Sequence, residues 1–72
     1  MQRLGEKIRI LRKRRRLTLK EMALALGFTS HSYASEIERG KKTPNTEMII
    51  QIADLFGVTV DQLVRDERDL DE

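Results

Sequence analysis

"LTLKEMALALGFTSHSYASEIERG", Leu17 to Gly40, carries the signals that decide the fold. Thr18-Leu19-Lys20-Glu21 is a capping box: the Thr18 hydroxyl can accept from the Glu21 backbone N–H, and the Glu21 carboxylate can accept from the N–H of Thr18. Leu17 and Met22 flank it with the spacing of a hydrophobic staple, so a helix starts at Leu19. Its apolar stripe is Met22, Ala23 and Leu26, and Gly27 is placed to end it in the left-handed conformation. Phe28-Thr29-Ser30 then forms a turn, with Ser30 as the expected N-cap of a further helix over about residues 31–39. Ala34 and Ile37 face inward on that helix, and Gly40 closes it.

Working outward, Leu4, Ile8 and Leu11 predict an amphipathic helix over about residues 2–15. Beyond the loop Lys41–Pro44, Asn45 is placed to cap a fourth helix with the stripe Ile49, Ile52, Ala53 and Phe56, closed by Gly57. Thr59-Val60-Asp61-Gln62 is a second capping box, opening a short fifth helix through about Val64. The expectation is an all-α, five-helix domain over residues 1–65, with the acidic segment "DERDLDE" at 66–72 frayed. The core is expected from Leu4, Ile8, Leu11, Leu17, Met22, Leu26, Ile37, Ile49, Ile52, Phe56, Val58 and Leu63.

Composition excludes several classes. There is no cysteine and only one histidine, so no disulfide, thiolate or His-pair metal site is expected, and no cofactor. No run of about 18 apolar residues is present. No signal pattern opens the chain, and the expectation is a cytoplasmic, nucleoid-associated protein. Gly5, Gly27, Gly40 and Gly57 are too dispersed for a phosphate-cradling loop. The net charge of +2 hides an asymmetry: residues 1–42 hold twelve Lys/Arg against four acids, a balance of +8, and residues 43–72 hold two against eight, a balance of −6. One half is suited to a polyanion.

His31 among Ser30, Ser32 and Ser35 invites a hydrolase reading. Neighbours on a helix point about 100° apart and do not face one another. Only Ser35, with Glu36 beside it, could meet His31 on one face. A 72-residue chain with short loops leaves little room for a substrate pocket or an oxyanion hole. No enzymatic activity is expected. Helix, glycine turn and helix instead form a helix-turn-helix, whose second helix enters the DNA major groove. His31, Ser32, Ser35 and Glu36 have the short or planar polar groups that base edges need. Lys20, Arg39, Lys41 and Lys42 bracket them as candidate phosphate contacts. The block "RKRRR", Arg12–Arg16, is read first as a solvated helix end opposing the helix dipole, and otherwise as added phosphate attraction.

The segments "LGEKIRILRKRRRLTLKEMALALGF", "SYASEIERGKKTPNTEMIIQIADLFGV" and "TVDQL" resemble the phage-repressor and Cro-like helix-turn-helix domains, the xenobiotic-response-element family. The resemblance runs from about Leu4 to Leu63. It implies a lambda-repressor-like fold in which the second and third helices read double-stranded DNA as a dimer on a two-half-site operator, in transcriptional regulation. It implies His31 and Ser32 as the first readers, Glu36 as a reader one turn on, Ser30 as a phosphate contact, and Arg12–Glu38 as a structural ion pair. Three positions depart from the pattern. Leu19 stands where glutamine is usual, so Lys20 or backbone N–H groups must serve any phosphate there. The turn is one residue longer. Ala34 replaces a larger aliphatic residue, leaving Tyr33 either to fill that space or to touch DNA.

Ile10, Met48, Ile50, Leu55, Val60 and Val64 lie off the core stripe. Leu55, Val60 and Val64 are the expected homodimer surface. The functional expectation is a sequence-specific regulator of the repressor or restriction-modification controller kind. The alternatives are an antitoxin-type autoregulator, or a protein-interaction module that holds a partner through its acidic half.

Overall fold

A computed structural model describes residues 1–71 and contains five helices: α1 (Leu4–Arg14), α2 (Leu19–Ala25), α3 (Ser32–Glu38), α4 (Thr46–Phe56) and α5 (Val60–Val64). None is long and apolar enough to cross a membrane. Three helices start as their sequences dictate. The Thr18 hydroxyl accepts from Glu21 N–H at 3.0 Å, and Glu21 returns a carboxylate oxygen to Thr18 N–H at 2.8 Å. That bond to the Thr18 backbone, and then the hydroxyl's, hold the Glu21 carboxyl below its ordinary pKa. Asn45 Oδ1 accepts from Met48 N–H, and Thr59 and Gln62 form the second box.

The start of α3 differs from expectation. Ser30 does not cap it. The preceding residue is His31, at φ −84° and ψ −3°, and no side chain bonds the first turn. A capping hydroxyl reaches the next turn only from an extended residue. Thr18, Asn45 and Thr59 are extended, with ψ of 164°, 173° and 155°. His31 already has helical geometry, and its carbonyl accepts from Ser35 N–H at 2.9 Å. Ser30 is left one residue too early, exposed in the bend.

Four helices end alike. After α2, Gly27 is left-handed (φ +91°), and Phe28 N–H reaches back to the Ala23 carbonyl at 2.9 Å. Gly40 with Lys41, and Gly57 with Val58, repeat this after α3 and α4. After α1 the same pair of bonds forms, Leu17 N–H to Arg12 and Arg16 N–H to Lys13, but the left-handed residue is Arg16 (φ +56°). A side chain there crowds its own backbone. Arg16→Gly should therefore stabilise the protein by about 0.5–1 kcal/mol, read as a higher urea midpoint at unchanged slope. A midpoint that stays or falls would contradict this.

The core is Leu4, Ile8, Leu11, Met22, Ala23, Leu26, Ala34, Ile37, Ile49, Ile52, Ala53, Phe56 and Leu63. Leu17 and Val58, expected inside, are half-buried and pack on its rim. They sit in the chain turns after α1 and α4, where one side of a residue stays open. Helix α1 is the hub, packing against α3, α4 and α5, while α2 packs against α3.

The acidic segment, expected to fray, is fastened down over its described part; Glu72 lies outside the described residues. Asp66 accepts from the backbone N–H of Gln2 and of Arg3, each at 3.0 Å. It thus caps α1, whose own flanking residue supplies no side-chain cap. These two bonds, Arg3 first, hold the Asp66 carboxyl below its ordinary pKa. Leu70 packs against the core, and Asp71 forms a two-pronged pair with Arg14 at 2.8 and 3.2 Å. Beneath this segment Lys7 is fully buried, its ammonium donating to the carbonyls of Gln62, Arg65 and Arg68.

Candidate nucleic-acid interface

Helix α3 turns one face inward through Ala34 and Ile37, which leaves the other outward. On that outward face His31, Ser32, Ser35 and Glu36 line one shallow concavity together with Arg39 and Lys41. Four candidate readers and two candidate phosphate contacts, scattered over eleven positions of sequence, therefore share one surface. The loop after α3 is fixed to the same helix: Lys41 and Lys42 N–H both donate to the Glu36 carbonyl, at 2.9 and 3.3 Å, while their side chains are exposed. The backbone of both residues is thereby tied to Glu36.

The other candidates lie elsewhere. Lys42 borders a separate hollow beyond Gly40, near Met1 and Gln2. Lys20 is exposed in the first turn of α2, and Ser30 in the bend before α3. Tyr33 is half-buried, its ring meeting Phe28 edge-on at 4.8 Å between centroids. Tyr33 and Phe28 both pack against the edge of the core. The connection between α2 and α3 runs from Leu26 to His31.

Glu38 does not face the concavity. Its carboxylate accepts from Arg12 Nε at 2.7 Å and Nη2 at 3.2 Å, and Arg12 Nη1 donates to the Leu17 carbonyl at 2.8 Å. The two side chains are 13% and 7% exposed. Removing one partner would strand a nearly buried charge, so the pair fixes the tilt of α3 on α1. The rest of "RKRRR" is also accounted for by structure in part: Arg14 pairs with Asp71, Arg15 lies beside Gly57 at the end of α4, and Arg16 makes the turn. Leu55 and Val64, expected at a dimer surface, are half-buried against the core; Val60 is 38% and Ile50 45% exposed.

A sequence model of the helix-turn-helix family matches residues 8–63, spanning all of α2, α3 and α4, most of α1 and α5 as far as Leu63. The chain belongs to the helix-turn-helix family. This is a family of DNA-binding transcriptional regulators, not of enzymes. This helix-turn-helix protein is 39% identical over 61 residues to the HTH-type transcriptional regulator DdrOP3 of Deinococcus deserti, covering 85% of the chain but 46% of that protein. It is 38% identical over 64 residues to the uncharacterized HTH-type transcriptional regulator YazB of Bacillus subtilis, covering 89% of the chain and 91% of YazB. It is 36% identical over 69 residues to RstR of Vibrio cholerae, a cryptic phage CTXphi transcriptional repressor, covering 94% of the chain and 61% of RstR. The chain thus spans less than half of DdrOP3 and nearly all of YazB.

Three residues that matter here carry no motif. Gly5, the second residue of α1, lies directly against the backbone of α3. Lys7 lies three residues after Leu4 and one before Ile8, so its place beside the apolar stripe is visible in the sequence while its full burial is not. Arg9 flanks α3 from α1, and nothing in the sequence announces that.

Proposed function

We propose that this helix-turn-helix protein is a sequence-specific regulator of transcription that binds a double-stranded DNA operator as a homodimer, in the manner of a repressor or of a restriction-modification controller. Helix α3 enters the major groove; His31, Ser32, Ser35 and Glu36 meet base edges, and Lys20, Ser30, Arg39, Lys41 and Lys42 meet phosphates. The observation that carries this reading is the shared concavity, which His31, Ser32, Ser35 and Glu36 line with Arg39 and Lys41, none of them in an ion pair among the described residues. Leu55, Val60 and Val64 join two copies, so that the recognition helices fall about 34 Å apart, one turn of DNA.

Selection from randomised duplexes tests it. The unmodified protein should enrich a pseudo-palindrome whose half-sites are about one helical turn apart. A Glu36 carboxylate accepts from a cytosine amino group, so Glu36→Ala should relax one position of each half-site, lowering discrimination there by about 1–3 kcal/mol. An unchanged site profile for Glu36→Ala would remove Glu36 from the reading face. Enrichment of a single half-site would remove the dimer.

A further inference from the structure

Beside the reading face lies a second feature, a crevice between α1, the start of α2 and α3, lined by Arg9, Arg12, Leu19, Ser35, Glu38 and Arg39. Its charges do not cancel. Arg12 and Glu38 are spent on each other. Glu6, the next carboxylate along α1, stands 3.5 Å from Arg3. Arg9 and Arg39 have no ion-pair partner among the described residues. They also share the adjoining hollow over Gly5 and Gly40, which Glu6 and Glu38 line as well, so the crevice beside Leu19, where Glu38 is the lone acid and is held by Arg12, is the more positive of the two. The backbone approach of α1 to α3 at Gly5 puts Arg9 and Arg39 there, one helical turn from Gly5 on one side and one residue past Glu38 on the other.

With Arg12 and Glu38 paired, the crevice keeps an excess of two positive charges, Arg9 and Arg39, and an anion seated there is attracted to both. Arginine forks match the paired oxygens of a phosphate. Ser35 and Arg39 line both this crevice and the base-reading concavity, so an anion in the crevice is continuous with whatever α3 reads. Leu19, which also lines the crevice, has no polar side-chain atom to offer.

We propose that Arg9 and Arg39 together grip a single backbone phosphate of the bound duplex, with Arg9, on a helix outside the helix-turn-helix pair, supplying the polar contact that Leu19 lacks. The proposal rests on the DNA-binding reading above.

The test is the salt dependence of binding to a fluorescein-labelled random-sequence duplex, which needs no knowledge of the operator. Each neutralised phosphate adds about 0.9 to the slope of log K against log salt. Arg9→Gln should weaken binding about tenfold near 0.1 M salt, the size of one lost charge-assisted bond. The double variant R9Q/R39Q should lower the slope by about one unit. Arg9→Lys, which keeps the charge, should keep the slope. Arg15→Gln removes the same charge on the α4 side and should change neither affinity nor slope appreciably. Arg9→Gln behaving like Arg15→Gln overturns the clamp, as does a loss of two slope units in the double variant, which would mean two separate phosphates. If the unmodified protein shows no salt-dependent affinity for duplex, the DNA-binding reading itself fails. Salt-dependent binding that Arg9→Gln leaves intact removes the clamp alone.

Discussion

Gly5→Ala should lower the melting temperature by at least about 10 °C, against what helix propensity alone predicts. Alanine is the better helix former by up to about 1 kcal/mol, of which position 5, in the first turn of α1, realises a part. Packing reverses the sign. A Cβ on Gly5 would lie 2.5 Å from the Ile37 carbonyl oxygen and 2.6 Å from that of Glu38. Both are backbone atoms of α3 and cannot swing aside as a side chain can. Helices α1 and α3 must separate, which stretches the Arg12–Glu38 pair and opens the core at Ile37 and Leu4. Overpacking of this kind costs about 1–3 kcal/mol and occasionally more. With backbone on both sides the upper end applies, and the propensity gain leaves roughly 2–3 kcal/mol of net destabilisation. In a domain of this size each kcal/mol moves the melting temperature by about 4–8 °C. Differential scanning calorimetry decides it: a melting temperature at or above that of the unmodified protein would mean that α1 and α3 are free to part.

The same contact marks the boundary of what the sequence discloses. Helix starts are written in three or four adjacent residues, so Thr18–Glu21, Asn45 and Thr59–Gln62 are legible one by one, and each is found in place. The left-handed glycines are legible for the same reason. The start of α3 is not. Whether a serine caps a helix depends on its backbone angles, and those follow from how the longer turn is drawn in when Phe28 meets Tyr33, a contact between two elements. The acidic segment misleads in a similar way. Five acids within seven residues suggest a solvated end. Yet the first of them answers the unsatisfied N–H groups at the start of α1, more than sixty positions away.

The candidate site divides along the same line. The residue types on the outward face of α3 and the basic loop after it are readable from helical spacing, because one helix and its closing turn position all of them. Arg9 belongs to another helix, and only the α1–α3 packing brings it beside Arg39. The lesson for Lys7 is different: its place in the apolar stripe of α1 was visible, and an isolated lysine there would ordinarily be taken as a long side chain reaching out to water. What keeps it inside is a set of acceptors that no local pattern encodes.

Lys7→Met should be among the most damaging single changes available to this fold, at about 3–5 kcal/mol. The substitution keeps an unbranched side chain of similar length, so the loss is not one of volume. It removes the three charged donors to the carbonyls of Gln62, Arg65 and Arg68 at 2.6, 2.7 and 2.7 Å, of which the Arg65 carbonyl retains the Arg68 N–H at 3.1 Å. Helix α5 is only five residues long, and its closing residue, Arg65, is extended rather than left-handed. Its final carbonyls therefore lack the back-bonding turn that ends the other four helices, and the Lys7 ammonium does that work from inside α1. Bonds to a charged donor are worth about 1.5–3 kcal/mol each and are not additive, and each acceptor stranded in a buried site adds its own desolvation cost. Asp66 loses a favourable neighbour as well, since the Lys7 charge is one of the influences lowering its carboxyl pKa. The expected result is a melting temperature lower by about 12 °C or more, and a urea midpoint lowered to match. A change within about 1 kcal/mol of the unmodified protein would show the three bonds to be unimportant. The mechanism has a second signature. Because the lost bonds are those that fasten residues 65–68 to α1, trypsin should cut Lys7→Met after Arg65 and Arg68 faster, relative to its global stability, than it cuts Gly5→Ala. Equal protection of those two sites in both variants would place the damage in the core at large instead of at the end of α5.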